Sequence, residues 1–174
     1  MDEFIVEKAK KIRLLLLDVD GVLTDGRIIY DSKGRDSKFF DVHDGMGVYL
    51  LRKAGIKTIL ITAKGSRAIK PRAKDMRVEE VYEDVSPKTA ALDKILKKYK
   101  VSLDEVCFVG DDLVDLCVIK RVGLAIAVFN ACPEIKQNVH YITLREGGRG
   151  AIREVSELLL KCQGKWNEAI KPYL

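Results

Sequence analysis

Two aspartates two residues apart, Asp18 and Asp20, follow the apolar run Leu14-Leu15-Leu16-Leu17 and precede Gly21. Residues i and i+2 of an extended segment point the same way. One carboxylate of such a pair can attack an electrophile while the other protonates the leaving oxygen and later activates water. Further along, Thr62 ends a second apolar run, Lys88 begins a helical stretch after Pro87, and Gly110-Asp111-Asp112 closes a third run. Taken singly, these have ordinary readings: a turn for Asp-Gly, a cap for Thr62 or for the Asp pair, a solvated first-turn cation for Lys88. Gathered at one place, they do more. Clustered carboxylates repel and raise one another's pKa values, and a divalent cation removes that conflict. An all-oxygen set favours Mg2+, which pairs with substrate phosphate. Lys88 and the Thr62 hydroxyl would then donate to non-bridging phosphate oxygens. The chemistry indicated is hydrolysis of a phosphate monoester through an aspartyl-phosphate on Asp18.

The elements that must bring these groups together can be read from periodicity. Residues 13–18, 57–62 and 106–109 are short apolar runs bounded by polar or turn residues, as buried strands are. Residues 80–82, 124–128 and 141–143 have shorter strand character. Residues 27–31 and 37–42 flank the turn signal Asp31-Ser32-Lys33-Gly34, which predicts a β-hairpin. Helices are expected at 44–54, stopping at Gly55, at 66–74 despite Pro71, at 86–99 with Pro87 at the first helical position, at 112–120 and at 149–162. The last carries an amphipathic stripe of Ile152, Val155, Leu158 and Leu159. Strand and helix alternate almost throughout, so the expected class is α/β, a three-layer Rossmann-like fold with a mainly parallel sheet. Such sheets bind ligands beyond the carboxyl ends of their strands, where Asp18, Thr62 and Asp111 fall.

Composition narrows the alternatives. The 174 residues, 47% hydrophobic and 33% charged, suit one folded domain with a sizeable core. The net charge of +5 is spread among acidic residues and no aromatic–basic platform interleaves, which argues against a nucleic-acid surface. No apolar run approaches the length of a membrane span, and residues 1–11 lack the apolar core of a signal peptide, so the expected location is cytoplasmic. The four cysteines, Cys107, Cys117, Cys132 and Cys162, show neither CxxC pairing nor zinc spacing.

With these residues in view, the chain resembles the haloacid dehalogenase superfamily. Asp18-Val-Asp-Gly-Val-Leu-Thr24, Thr62, Lys88 and Gly110-Asp-Asp112 with Asp115 are similar to its four motifs in order. The resemblance implies Asp18 as nucleophile and Asp20 as acid–base group. It also implies Mg2+ held by Asp18, the Asp20 carbonyl and Asp111, with Asp112 in an outer shell and Asp115 orienting Lys88. Within the superfamily the chain resembles the 3-deoxy-D-manno-octulosonate 8-phosphate phosphatases. Their pattern is similar to Asp18–Gly26, to Phe40-Asp-Val-His-Asp-Gly-Met-Gly47, to Val109–Asp115 and to Gly147-Gly-Arg-Gly-Ala-Ile-Arg-Glu154. That group releases phosphate during synthesis of a lipopolysaccharide sugar acid.

Spacing adds an independent point. Asp20 to Thr62 leaves room for the hairpin and one helix, and Thr62 to Lys88 for one helix and one short strand. No cap domain fits. The resemblance implies that relatives of this kind form homotetramers through the hairpins, a neighbour covering each site; the same is expected of residues 27–42 and of the tail after Gly164. It also implies substrate contacts from Asp20, from the loop Asp41, Val42, His43, Asp44 and Gly45, and from Lys64, Arg72 and Lys88. Three positions depart from the group's pattern: Asp41 stands for Asn, His43 for Arg and Lys64 for Arg. They leave the catalytic motifs intact and bear on which sugar is used. The rival substrate is a nine-carbon sugar-acid 9-phosphate. The rival class is a tetramer-forming module that binds a phosphorylated ligand without turnover, and a phosphotransferase is disfavoured because no cap shields the intermediate from water.

Overall fold

The computed structural model describes residues 2–174. Helix α1 (Glu3–Lys10) is capped by the Asp2 side chain and buries Ile5 and Ala9. Strand β1 (Leu14–Leu17) is buried at every residue, as a strand covered on both faces must be. The hairpin follows as β2 (Ile29–Tyr30) and β3 (Asp36–Ser37), antiparallel to one another. Next come α2 (Val42–Lys53), β4 (Lys57–Ile61), α3 (Ile69–Met76), β5 (Glu80–Tyr82) and α4 (Thr89–Tyr99). The second half holds β6 (Val106–Gly110), α5 (Leu116–Ile119), β7 (Leu124–Ala127), α6 (Pro133–Lys136), β8 (Tyr141–Ile142), α7 (Ala151–Cys162) and α8 (Trp166–Ile170).

The main sheet runs β5-β4-β1-β6-β7-β8 with every pairing parallel. Helix α7 packs against α1 and α2, while α4 packs against α5. The result is the expected three-layer α/β architecture, and no helix among the described residues is long and apolar enough to cross a membrane. Chain order reverses around β1, which lies between β4 and β6. The carboxyl ends of these three strands therefore flank the crevice where such sheets take ligands.

Several expected boundaries shift for physical reasons. The hairpin strands are shorter than the predicted 27–31 and 37–42, because Lys38 turns inward and Asp41 already caps α2. Pro87 lies two residues before α4 rather than at its first position, and Lys88 takes the N-cap place. Pro71 is the third residue of α3, within the first turn, where its missing N–H forfeits no helical bond. The predicted 112–120 helix splits into a 3-10 turn, Leu113–Asp115, capped by the Asp112 side chain, and the short α5. Helices α1, α6 and α8 carry no expectation from the sequence. The tail after Gly164 runs along its own chain. Arg153 and Lys161 lie over the Trp166 ring, and Lys165 Nζ donates to the Ala54 carbonyl at 3.1 Å.

The Gly-Gly-Arg-Gly segment before α7 has a structural use. Gly147 N–H donates to Asn130 Oδ1 at 2.8 Å and Gly148 N–H to the Val22 carbonyl at 3.0 Å. A side chain at Gly147 would run into the Gly21 carbonyl oxygen, so this loop braces the turn that follows β1. Gly147→Ala is expected to destabilise the chain by about 1–3 kcal/mol, the usual range for overpacking a closed site. The urea midpoint of the variant, compared with that of the unaltered chain, checks this.

Candidate active site

Asp18 ends the ladder between β1 and β6, its N–H donating to the Val109 carbonyl at 3.1 Å. The chain then turns sharply: the Val19 carbonyl accepts from the N–H groups of Val22, Leu23 and Thr24, and Thr24 Oγ1 accepts from Gly21 N–H. This turn buries Asp18 and leaves the Asp20 side chain 30% exposed. Gly21 has φ +83°, and a side chain there would collide with the Asp111 carboxylate. Glycine both allows that backbone conformation and lets Asp111 approach.

Lys88 is the centre of the charge arrangement. Its ammonium lies 2.8 Å from Asp18 Oδ1 and 2.6 Å from Asp115 Oδ1, and its side chain is 1% exposed. Burial acts to lower its pKa, but the two carboxylates outweigh that and hold it above the ordinary lysine value. Asp115 is fully buried, and its other oxygen accepts from the Asp111 N–H at 3.0 Å. Asp111 Oδ1 is buried with no hydrogen-bond partner. Burial, followed by the charges of Asp18 and Asp115, pushes Asp111 up to about 8. Asp18 is also raised, first by burial and then by Asp115, against the pull of Lys88. Oxygens of Asp18, Asp111 and Asp115 lie within 4.8 Å of one another, a spacing that a single cation can bridge. Asp115 is already engaged on both oxygens, which leaves Asp18 and Asp111 as the better-placed donors.

Asp18, Asp20, Thr62, Lys64, Asp111 and Asp112 line one cleft of ≈ 230 Å³, together with Gly26, Ala63 and Val114. Larger hollows lie elsewhere, beside Tyr49 and Tyr173 and beside Lys33 and Lys70. Chemistry rather than size selects the smaller cleft, since of these three it is the one lined by Asp18 and Asp111. The Thr62 hydroxyl donates to the Lys64 carbonyl at 3.0 Å and accepts from the Lys64 N–H. Lys64 Nζ donates to the Tyr30 hydroxyl at 2.6 Å and so reaches the hairpin. Asp112 faces solvent and caps Leu113.

The expected substrate loop and Arg72 stand outside this lining. Asp41 is the N-cap of α2, accepting from the His43 N–H at 2.7 Å and lying 3.0 Å from His43 Nδ1. Val42 is exposed. Asp44 is buried and turned to α7, where Oδ1 accepts from the Arg153 N–H at 2.8 Å; burial pushes it up to about 6. Gly45 leaves room for the Arg72 guanidinium, which stacks on Phe40 and donates to the Asp41 carbonyl at 2.7 Å. Lys38, which no sequence pattern singled out, forms an ion pair with Asp20 Oδ1. A charge in a hairpin strand ordinarily reads as outward-facing, and only the docking of the hairpin brings this one in.

Comparison with known proteins agrees with this geometry. The sequence profile of the haloacid dehalogenase-like hydrolases matches residues 76–153. The chain is 40% identical over 165 residues to the 3-deoxy-D-manno-octulosonate 8-phosphate phosphatase KdsC of Escherichia coli (strain K12), covering 95% of this chain and 88% of that protein. Among solved structures, a probable YrbI family phosphatase from Pseudomonas syringae superposes with a TM-score of 0.97 at 38% identity, covering 99% of this chain and 98% of that one. The 3-deoxy-D-manno-octulosonate 8-phosphate phosphatase from Moraxella catarrhalis, in complex with magnesium, phosphate and KDO, superposes at 0.95 with 39% identity over 98% of each chain. The order of the motifs, their convergence at the β1 crevice and these similarities together place the chain in the haloacid dehalogenase-like hydrolase family.

Proposed function

We propose that this chain is a Mg2+-dependent phosphatase that hydrolyses 3-deoxy-D-manno-octulosonate 8-phosphate through an aspartyl-phosphate on Asp18. The observation that carries the reading is the buried Asp18 carboxylate, fixed by Lys88 beside the unpartnered Asp111 oxygen. Substrate identity rests on the similarity to phosphatases named for that sugar acid, one of them holding KDO, phosphate and magnesium.

The orphaned Asp111 oxygen and the crowded carboxylates suit a hard divalent cation. Asp18, the Asp20 carbonyl and Asp111 would hold it, and when bound it supplies positive charge against the phosphate. The chain's own groups do the rest. Asp18 attacks phosphorus as the P–O bond to the sugar breaks, and Asp20 gives its proton to the leaving oxygen. Asp20 then takes a proton from the water that attacks the phosphoenzyme, and Asp18 and inorganic phosphate are released. Lys88 keeps Asp18 aimed and faces the phosphate, while Thr62 can turn its hydroxyl toward it. Phosphate-ester hydrolysis is slow unaided, so positioning and charge neutralisation carry the rate.

The cleft is open, and apolar side chains stand exposed around it: Ile28, Tyr30, Phe39 and Val42 on or near the hairpin, Leu113 and Val114 at the rim. These support association into a homotetramer in which a neighbour's surface closes the site. A cytoplasmic location follows from the same reading, since sugar-acid phosphates are made and used there. Association predicts that sedimentation gives a tetramer and that Tyr30→Glu both dissociates it and raises KM; a fully active monomer excludes the shared site.

Phosphate release with Mg2+ from a panel including the eight-carbon and nine-carbon acid phosphates tests the function. Preference for the eight-carbon ester is expected, and Asp18→Asn is expected to abolish turnover with the fold intact. Preference for the nine-carbon ester moves the substrate assignment. Release from none, with metal bound, favours a binding module.

The raised carboxylates predict a pH signature without metal. The folded Asp111 holds its proton to about 8, against about 3.9 for an ordinary aspartate. Its contribution is full below the unfolded value and is lost as pH rises through the folded one. The metal-free chain should therefore lose stability between about pH 4 and 8 on this account, with Asp44 contributing in the same direction up to about 6. A cation competes with those protons, so Mg2+ at a hundredfold excess over Kd should stabilise by about 2.7 kcal/mol at pH 8 and much less at pH 5. Thermal unfolding with EDTA and with Mg2+ at both pH values checks the sign.

A further inference from the structure

Most of the hairpin's charged side chains lie in solvent, but Lys38 does not. Its side chain is 4% exposed, and its ammonium is ion-paired with Asp20 Oδ1, with Asp36 Oδ2 3.7 Å away. Burying an ammonium is costly unless it is paired, so a lysine in this place needs both carboxylates. Asp36 belongs to β3 and Asp20 to the turn after β1. The lysine thus bridges the hairpin to the acid–base group. The second link, Lys64 to Tyr30, ties the hairpin to the loop after β4.

Taking the phosphatase reading as its basis, we propose that Lys38 is a positioning residue for Asp20, holding the carboxylate by one oxygen so that proton exchange uses the other. An ammonium carries donors and no acceptor. A carboxyl oxygen already taking its hydrogen bond is a poor place for the acid's own proton, because two donors would then face one another. The proton of the neutral acid is therefore directed to Oδ2. In the first step that proton passes from Oδ2 to the leaving oxygen as the P–O bond breaks and the Asp18–phosphorus bond forms. In the second, Oδ2 takes one proton from the attacking water as the Asp18–phosphorus bond breaks. Lys38 exchanges no proton in either step. The pairing also fixes the side-chain rotation of Asp20, which is otherwise partly exposed and free to turn. Positioned proton transfer of this kind contributes about 10²–10⁴-fold.

Leaving-group chemistry separates positioning from simple structural support. A sugar alkoxide leaves badly without a proton, whereas p-nitrophenolate needs almost no protonation. Leaving-group release is followed under single turnover with Mg2+, which isolates the first step from hydrolysis of the phosphoenzyme. Lys38→Met is expected to slow release from the eight-carbon ester by about 10²-fold, with half-saturation little changed, and release from p-nitrophenyl phosphate by less than about threefold. Lys38→Arg, which restores a donor, should recover part of the loss on the sugar ester. Equal losses on both esters, or no recovery by arginine in a folded variant, would overturn the positioning role. So would a rise in half-saturation with an unchanged limiting rate, since that marks substrate binding. If the unaltered chain releases phosphate from neither ester, the phosphatase reading itself falls, an outcome distinct from these.

Discussion

A lysine ammonium held between two buried carboxylates governs the site. Lys88 sits at the N-cap position of α4, where the positive end of the helix dipole disfavours a cation and burial disfavours any charge. Asp18 and Asp115 offset both costs from opposite sides. Removing one partner of such a buried set typically costs about 3–5 kcal/mol, because a charge is left uncompensated. The contact also ties three elements together: β1 through Asp18, the turn after β6 through Asp115, and α4 through Lys88 itself.

The same arrangement leaves a surplus of negative charge. Three clustered carboxylates meet one buried ammonium. Asp115 is satisfied by Lys88 and by the Asp111 N–H, so the conflict falls on Asp111, whose buried Oδ1 has no partner and whose proton is held to about 8. A phosphate dianion could not approach such a site unaided. A buried oxygen without a partner beside two further carboxylates is the kind of site a hard divalent cation relieves. On the proposed function, that cation would also let an anionic ester approach.

How much of this was legible in the sequence depended on whether a feature is local. Strands β1, β4 and β6 are apolar runs closed by polar residues, and β5 matched its expected bounds at Glu80–Tyr82. Asp18, Thr62 and Asp111 could be placed at one sheet edge because parallel pairing fixes which strand ends meet. The hairpin was legible as a turn signal but not in extent, since its second strand ends where Lys38 and Asp41 find partners outside the strand. Helix α8 has only five residues, too few for periodicity to register. Lys38 lies eighteen residues from Asp20 in a segment whose charges alternate without pattern. Its inward turn follows from how the hairpin docks, and no local rule encodes docking.

The three departures from the phosphatase pattern gain meaning from the same distinction. Asp41 adds a carboxylate where the resemblance implies Asn, but that carboxylate caps α2 and faces His43. Asn and Asp cap helices equally well, so this exchange preserves the backbone job and keeps the added charge engaged away from the cleft lining. His43 is paired with Asp41 and lies in solvent. Lys64 differs in kind: exchanging arginine for lysine keeps the charge but gives up a bidentate fork. Here the single ammonium goes to the Tyr30 hydroxyl and ring. The hairpin is thus pinned by two lysines from opposite sides, Lys38 reaching out of it to Asp20 and Lys64 reaching into it to Tyr30. In a fold without room for a cap, the hairpin is the element left to shape the mouth of the site, and these two contacts couple its placement to the Asp20 carboxylate and to the loop after β4.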